Sequence, residues 1–166
     1  MLDPRISLSE METETKNLKM EESNGRKVFN GIVAGIIGGA VMGGMMSMMM
    51  PAAINKMIPA LFGLQGTAAG WGVHIFNSAI FGIVFAGILS VGAFRKMSES
   101  SGKTFGLGVI YGFLVWVGPA AIVMPIWLNT VAGMNAPVPN VVPKSIVAHI
   151  VFGIVLGVVY TALDKR

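Results

Sequence analysis

The chain contains two long stretches that are almost free of charge, and these constrain its fold more than any other feature. Between residues 27 and 95 the only charged side chain is Lys56, and between residues 103 and 164 the only one is Lys144. Each stretch has room for two helices of about 20 residues, the length that crosses a bilayer, with a turn between them. We therefore predict an all-α polytopic membrane protein with four transmembrane helices, over residues 28–50, 67–94, 105–128 and 145–163.

Basic residues flank the predicted helices mainly on one side of the membrane. They lie before the first helix, between the second and third, and after the fourth (Arg26, Lys27, Arg95, Lys96, Lys103, Lys165 and Arg166). Because positive charge is enriched in cytoplasmic segments, both termini are predicted to face the cytoplasm. Residues 1–27 lack the basic start and apolar run of a signal peptide, and we predict a cytoplasmic tail there that is mostly disordered or lies on the membrane surface. No basic stripe is left for nucleic acid.

An internal repeat relates the two halves of the chain. A shift of 74 carries Ile36, Gly38, Val41, Gly44, Met50, Pro51 and Asn55 onto identical residues at 110, 112, 115, 118, 124, 125 and 129. A shift of 71 carries the Phe-Gly-Ile-Val sequence of residues 81–84 onto residues 152–155. The pattern predicts two repeated helical hairpins that run in the same direction. Sites in duplicated membrane proteins often lie where the halves meet.

Small residues recur at four-residue spacing along the predicted helices. The main positions are Gly31, Gly35, Gly39 and Gly43 in the first helix, Gly82 in the second, and Gly153 and Gly157 in the fourth. In a bilayer such stripes let two helix backbones approach closely, so that van der Waals contact holds the helices together. The pattern predicts a tightly packed four-helix bundle. The alternative is that one glycine face is left for a partner protein or a second copy of the chain.

Buried polar groups are predicted to gather in the outer half of the membrane. His74 and Ser78 lie four residues apart in the second helix, and Ser145 and His149 lie four apart in the fourth, so each pair shares a helix face. Asn77 is predicted to join this polar interface. The histidines either hydrogen-bond a serine or a carbonyl across helices, or form a functional site. The proline-rich segment 132–143 would cap the cluster or contact a partner.

Methionines cluster at the end of the first helix. Met42, Met45, Met46, Met49 and Met50 line up at four-residue spacings along its edges. Thioethers are soft ligands that select Cu(I), and His74 and His149 would complete such a site. The spacing resembles the M-x-x-x-M element of copper uptake channels. The alternative is that these flexible side chains fill gaps beside glycine-rich surfaces, with no cofactor bound.

Enzymatic signatures are missing from the sequence. Between Glu22 and Asp164 the only carboxylate is Glu99, which lies between predicted helices, and the chain has no cysteine. Paired-carboxylate chemistry, a carboxylate-oriented histidine and thiol catalysis are therefore excluded. We predict a non-catalytic protein.

Three motifs resemble a group of small membrane proteins. They are the G-P-x-x-x-x-x-P-x-W stretch from Gly118 to Trp127, the proline-rich loop, and the S-x-x-x-H-x-x-F-G helix from Ser145 to Gly153. In these the chain is similar to the YagU-like proteins of bacterial inner membranes and their archaeal relatives. The resemblance implies a four-helix integral protein of a prokaryotic cell membrane and transfers no catalytic residue.

Size, glycine-lined faces and missing catalytic groups favour an accessory or structural subunit of a larger membrane complex, such as a copper-dependent oxidase or monooxygenase. The expected partners are lipid and other membrane subunits, or identical copies. The alternative hypothesis is a small transporter, channel or chaperone for Cu(I) or a neutral solute, with its site between the repeats.

Overall fold

The computed structural model describes residues 8–91, 94 and 101–165, and every regular element among them is helical. Four long helices follow one another along the chain: α1 (Leu8–Met49), α2 (Thr67–Ser90), α3 (three consecutive segments, Ser101–Val115, Trp116–Val123 and Met124–Val131) and α4 (Pro143–Asp164). Each includes a stretch that is long and apolar enough to cross a membrane. The predicted class is therefore confirmed: the chain is an all-α, multi-pass integral membrane protein.

Helix α1 begins far earlier than the sequence indicated. Residues 8–27 were predicted as mostly disordered or surface-lying, yet they continue the first membrane helix without a break, while residues 1–7 lie outside the described part of the chain. No proline or glycine occurs between residues 8 and 24, and Thr13 and Thr15 bond to carbonyls four residues earlier in the same helix. Extending an existing helix avoids the cost of nucleation, so this polar segment needs no buried face to be helical.

The ends of the other helices also differ from the predicted spans. Helix α2 ends at Ser90 instead of residue 94, and α3 extends to Val131. Helix α4 begins at Pro143, where the missing N–H of proline costs nothing in the first turn. The connection between α1 and α2 carries a π-helical turn, Ala53–Met57, and one α-helical turn, Ile58–Ala60. This connection and the α3–α4 loop lie at the same end of the bundle, which we call the loop end.

Glycine contacts join the helices within each hairpin. A Cβ atom on Gly82 of α2 would overlap the Gly31 carbonyl oxygen of α1, and a Cβ atom on Gly153 of α4 would overlap the Gly108 carbonyl oxygen of α3. The predicted positions Gly31, Gly35, Gly39, Gly43, Gly82, Gly153 and Gly157 all lie against a neighbouring helix. Only helices without side chains at these points can approach so closely.

These contacts place the two hairpins in a register that the sequence comparison missed. Gly35 lies against the Ser78 carbonyl, and Gly112 lies against the His149 carbonyl. Ser78 and His149 are 71 residues apart, as expected, but Gly35 and Gly112 are 77 apart and not 74. The 74-residue shift aligns Gly38 with Gly112, but the two glycines have different neighbours. Gly38 packs on the Phe152 ring of α4, whereas Gly112 packs on the His149 carbonyl.

The four helices do not pack symmetrically. The backbone of α1 approaches both α2 and α4, and that of α3 approaches α4. Helices α2 and α3 meet through side chains instead: the Tyr111 hydroxyl donates to the Phe81 carbonyl at 2.6 Å, and the Tyr111 and Phe85 rings lie 5.1 Å apart. The large side chains between α2 and α3 keep their backbones apart, which leaves space inside the bundle towards the loop end.

Candidate functional site

A cavity of about 610 Å³ lies inside the bundle at the loop end. All four helices and both loop-end connections contribute to its lining. Most of the lining is apolar, but His74, Asn77, Ser78, Ser145 and His149 all reach it. The polar residues that the sequence singled out on two separate helices therefore line one shared cavity.

Three of the predicted methionines form one wall of this cavity. Met42, Met46 and Met50 follow each other at four-residue spacing on α1 and its continuation, and Met124 of α3 joins them. Met45 and Met49, which the sequence placed in the same cluster, are absent from the lining. The helix thus separates the five residues into two rows, and only one row contacts the cavity.

His74 is held against α1 by a hydrogen bond to the backbone. Its Nε2 lies 2.9 Å from the Gly39 carbonyl oxygen, and its ring packs beside Gly43, where a Cβ would press on it. The Trp71 ring meets the imidazole edge-on at 6.2 Å. The glycine stripe of α1 therefore has a second effect besides helix packing, because it makes room for this imidazole.

His149 bonds to its own helix. Its Nδ1 lies 2.8 Å from the Ser145 carbonyl oxygen and 3.4 Å from the Ser145 hydroxyl. The backbone of α4 at this residue packs on Gly112 of α3, which fixes the height of the side chain in the bundle.

Both hydrogen bonds determine which ring nitrogen carries the proton. A carbonyl oxygen only accepts, so Nε2 of His74 and Nδ1 of His149 must be the donors. In the neutral imidazole the other nitrogen then carries a lone pair. These are Nδ1 of His74 and Nε2 of His149, and neither bonds to another group in the described part of the chain.

The serines do not bond across helices. The Ser78 hydroxyl donates to the His74 carbonyl at 2.7 Å within α2, and Ser145 stays beside His149 within α4. Asn77 lines the cavity with its amide. The interface predicted from these residues is therefore a set of polar groups around a cavity, and among their hydrogen bonds the one from His74 to Gly39 joins two helices.

Residues at the loop end close the cavity, and sequence reasoning missed most of them. The Trp127 indole donates to the Leu61 carbonyl at 3.0 Å, which joins α3 to the α1–α2 connection. The Asn140 backbone N–H donates to the Ala121 carbonyl at 2.8 Å, and Asn140 and Val142 line the cavity. Two residues of the proline-rich segment thus reach the cavity, and no motif indicated the Trp127 bond.

The donor set limits the chemistry of this site. Among residues 8–91, 94 and 101–165, no group of three or more His, Cys, Asp or Glu side chains lies within reach of one ion. The groups that line the cavity are neutral imidazoles, thioethers, an amide and hydroxyls. Comparison with known proteins adds nothing to this description, since no family model, curated protein or solved structure matches the chain.

Proposed function

We propose that this integral membrane protein binds a small ligand inside its bundle, as a transporter or as a chaperone that delivers the ligand to another membrane protein. The observation that carries the proposal is the cavity of about 610 Å³ at the loop end. Pockets of this size bind small molecules when a few polar groups converge in an apolar lining.

The charge distribution assigns an orientation to the cavity. With the basic residues at the termini and in the α2–α3 connection on the cytoplasmic side, the loop end faces outward. The ligand would then enter from outside the cell, between the α1–α2 connection and the α3–α4 loop. The resemblance to the YagU-like proteins agrees with a prokaryotic cell membrane as the location.

Cysteine labelling in intact cells tests the proposal, because the native chain contains no cysteine. A charged, membrane-impermeant methanethiosulfonate reagent is applied to Ala53→Cys and Ala120→Cys, which line the cavity. Both are expected to react. Ile122→Cys lies on the surface outside the cavity lining and is expected to stay unmodified in lipid. Lys144→Cys, which is exposed at the loop end, shows whether the reagent reaches the protein.

The result that contradicts the proposal is a reactive Lys144→Cys with both cavity cysteines unmodified. Reaction of the cavity cysteines only in inverted membrane vesicles would keep the cavity as a binding site but reverse its orientation. Labelling of Ile122→Cys at the same rate as Ala120→Cys would show that the reagent does not distinguish cavity from lipid face.

A second function, an accessory subunit of a larger complex, is favoured by the cytoplasmic extension of α1. Leu18 and Met20 in this extension are 60% and 49% exposed, and residues 11–22 are exposed throughout. A copper-dependent oxidase or monooxygenase stays our hypothesis for the complex. Gentle purification from native membranes followed by mass spectrometry would then recover large subunits in stoichiometric amounts, and recovery of this chain alone would exclude a stable complex.

A further inference from the structure

The ligand of the cavity can be narrowed to a chemical class. This inference rests on the proposed binding function. We propose that the cavity binds Cu(I) through Nδ1 of His74, Nε2 of His149 and the Met46 sulfur. The three residues come from three helices, α2, α4 and α1, and all line the same cavity. An ion at this point would connect both hairpins.

The hydrogen bonds of the two histidines have the form found around metal ligands. A ligating imidazole almost always donates its other N–H to a carboxylate, a backbone carbonyl or water, and this bond fixes the tautomer and the ring orientation. His74 donates to Gly39 and His149 donates to Ser145, both through backbone carbonyls. Each imidazole is thus already oriented with one unprotonated nitrogen available for an ion.

The rest of the lining selects a soft metal. Mg²⁺ and Ca²⁺ require oxygen ligands, and carboxylates above all, but no carboxylate belongs to the lining. Thioether sulfur is a poor ligand for hard ions and a good one for Cu(I), and imidazole suits copper as well. Met42, Met46 and Met50 bring three thioethers to one wall of the cavity.

A neutral solute is the competing ligand, since the cavity is larger than one ion. Methionine side chains rotate about three bonds, and so they can close around an ion in a space of this size. The hydrogen bonds to the backbone would satisfy both histidines with either ligand. The thioethers that face the same cavity as the two ring lone pairs are what favours the ion.

Copper binding is measured on the full chain in lipid nanodiscs. Cu(I) is supplied under reducing conditions and its affinity is obtained by competition with a chromophoric Cu(I) chelator. We expect one Cu(I) per chain. X-ray absorption of the copper complex is expected to show both nitrogen and sulfur ligands, a signature that adventitious binding to scattered methionines would not produce.

Two substitutions remove a ligand while keeping the hydrogen bond that positions it. In His74→Gln the amide Nε2 takes the place of the ring Nε2 that donates to Gly39, and in His149→Asn the amide Nδ2 takes the place of the ring Nδ1 that donates to Ser145. Both keep the fold and lose the ring lone pair. Each is expected to weaken Cu(I) binding at least tenfold, the lower end of the effect seen for groups that merely support a ligand.

Met46→Leu conserves volume and removes one sulfur, and it is expected to weaken binding by a similar factor. Met45→Leu is the matched control, because Met45 is the neighbouring residue on α1 and does not line the cavity. Equal effects of Met45→Leu and Met46→Leu would overturn the site, as would unchanged binding in both histidine variants.

The labelling of Ala53→Cys and Ala120→Cys separates this inference from the proposed function. Labelled cavity cysteines without Cu(I) binding would exclude the copper site and leave a cavity for a neutral ligand. Unlabelled cavity cysteines without Cu(I) binding would exclude both.

Discussion

The two ends of the bundle are built from the same helices but are packed in opposite ways. Away from the loop end, aromatic rings fill the interior: Phe85 lies between Tyr111 and Tyr160, with ring centroids 5.1 and 5.9 Å away, and is 1% exposed. At the loop end, methionines, histidines and a cavity occupy the corresponding space. The aromatic contacts hold the helices together at one end, and the loop end can therefore keep a cavity.

The largest difference between the ends is expected for deletion of a buried side chain. Phe85→Ala removes a ring with neighbours on all sides and should cost about 4 kcal/mol of unfolding free energy. Met46→Ala enlarges a cavity that already exists, so fewer contacts are lost, and about 2 kcal/mol is expected. Unfolding in mixed micelles with increasing SDS measures both. Equal losses of unfolding free energy would show that Met46 is packed as tightly as Phe85, which contradicts a cavity beside Met46.

A methyl group placed in the hairpin contact should cost somewhat less. In Gly153→Ala the new Cβ meets the Gly108 carbonyl and the backbone of Gly112, neither of which can rotate away, and about 2 kcal/mol of overpacking is expected. Gly106→Ala is the control, because no atom lies within 4 Å of its Cβ position. The control should be neutral or gain up to about 1 kcal/mol from helix propensity. Similar destabilisation of both would contradict the glycine contact.

Removal of the hydrogen bond between α2 and α3 should have a smaller effect. Tyr111→Phe loses the 2.6 Å bond to the Phe81 carbonyl, and hydrogen bonds between membrane helices contribute about 0.6 to 2 kcal/mol. Tyr160→Phe serves as the reference, since the Tyr160 hydroxyl has no hydrogen-bond partner in the described residues. The same SDS titration compares the two. A larger loss of unfolding free energy in Tyr160→Phe would show that the Tyr111 bond is not the main polar contact at this end of the bundle.

The smallest expected effect concerns the bond that joins α3 to the α1–α2 connection at the loop end. Trp127→Phe removes the bond to the Leu61 carbonyl and should change stability by only about 0.6 kcal/mol. By opening the connection more often, it should raise the labelling rate of Ala120→Cys about threefold, the factor that corresponds to this energy. Thr130→Ala, which removes a bond within α3 only, should leave the rate unchanged. A slower reaction in Trp127→Phe would contradict a closing role for the indole.

Much of this architecture could be predicted because lipid excludes charged side chains from membrane spans. Charge-free stretches located the four spans, and four-residue spacing located the glycine contacts and the row of Met42, Met46 and Met50. The grouping of His74 with His149 followed from the hairpin topology, which brings both to the loop end. These features depend on local periodicity and span order, which one sequence displays directly.

The remaining features depend on tertiary contacts that leave little trace in the sequence. The π-helical segment Trp116–Val123 contains Pro119, but the sequence analysis predicted a regular span there. The 77-residue register depends on the glycine contacts within each hairpin. The separation of α2 from α3 depends on the contacts of Tyr111 with the Phe85 ring and the Phe81 carbonyl. The helical extension of α1 was missed because a polar segment without an apolar face resembles a disordered tail.

The backbone carbonyls that orient His74 and His149 also limit the charge that the cavity can hold. Because carbonyls and imidazoles are neutral, an ion bound here keeps its full charge inside a medium of low dielectric constant. The Born self-energy grows with the square of the charge, so a divalent ion would lose about four times as much solvation as a monovalent one. For the proposed ion site, the neutral lining therefore favours a singly charged ion over a divalent one.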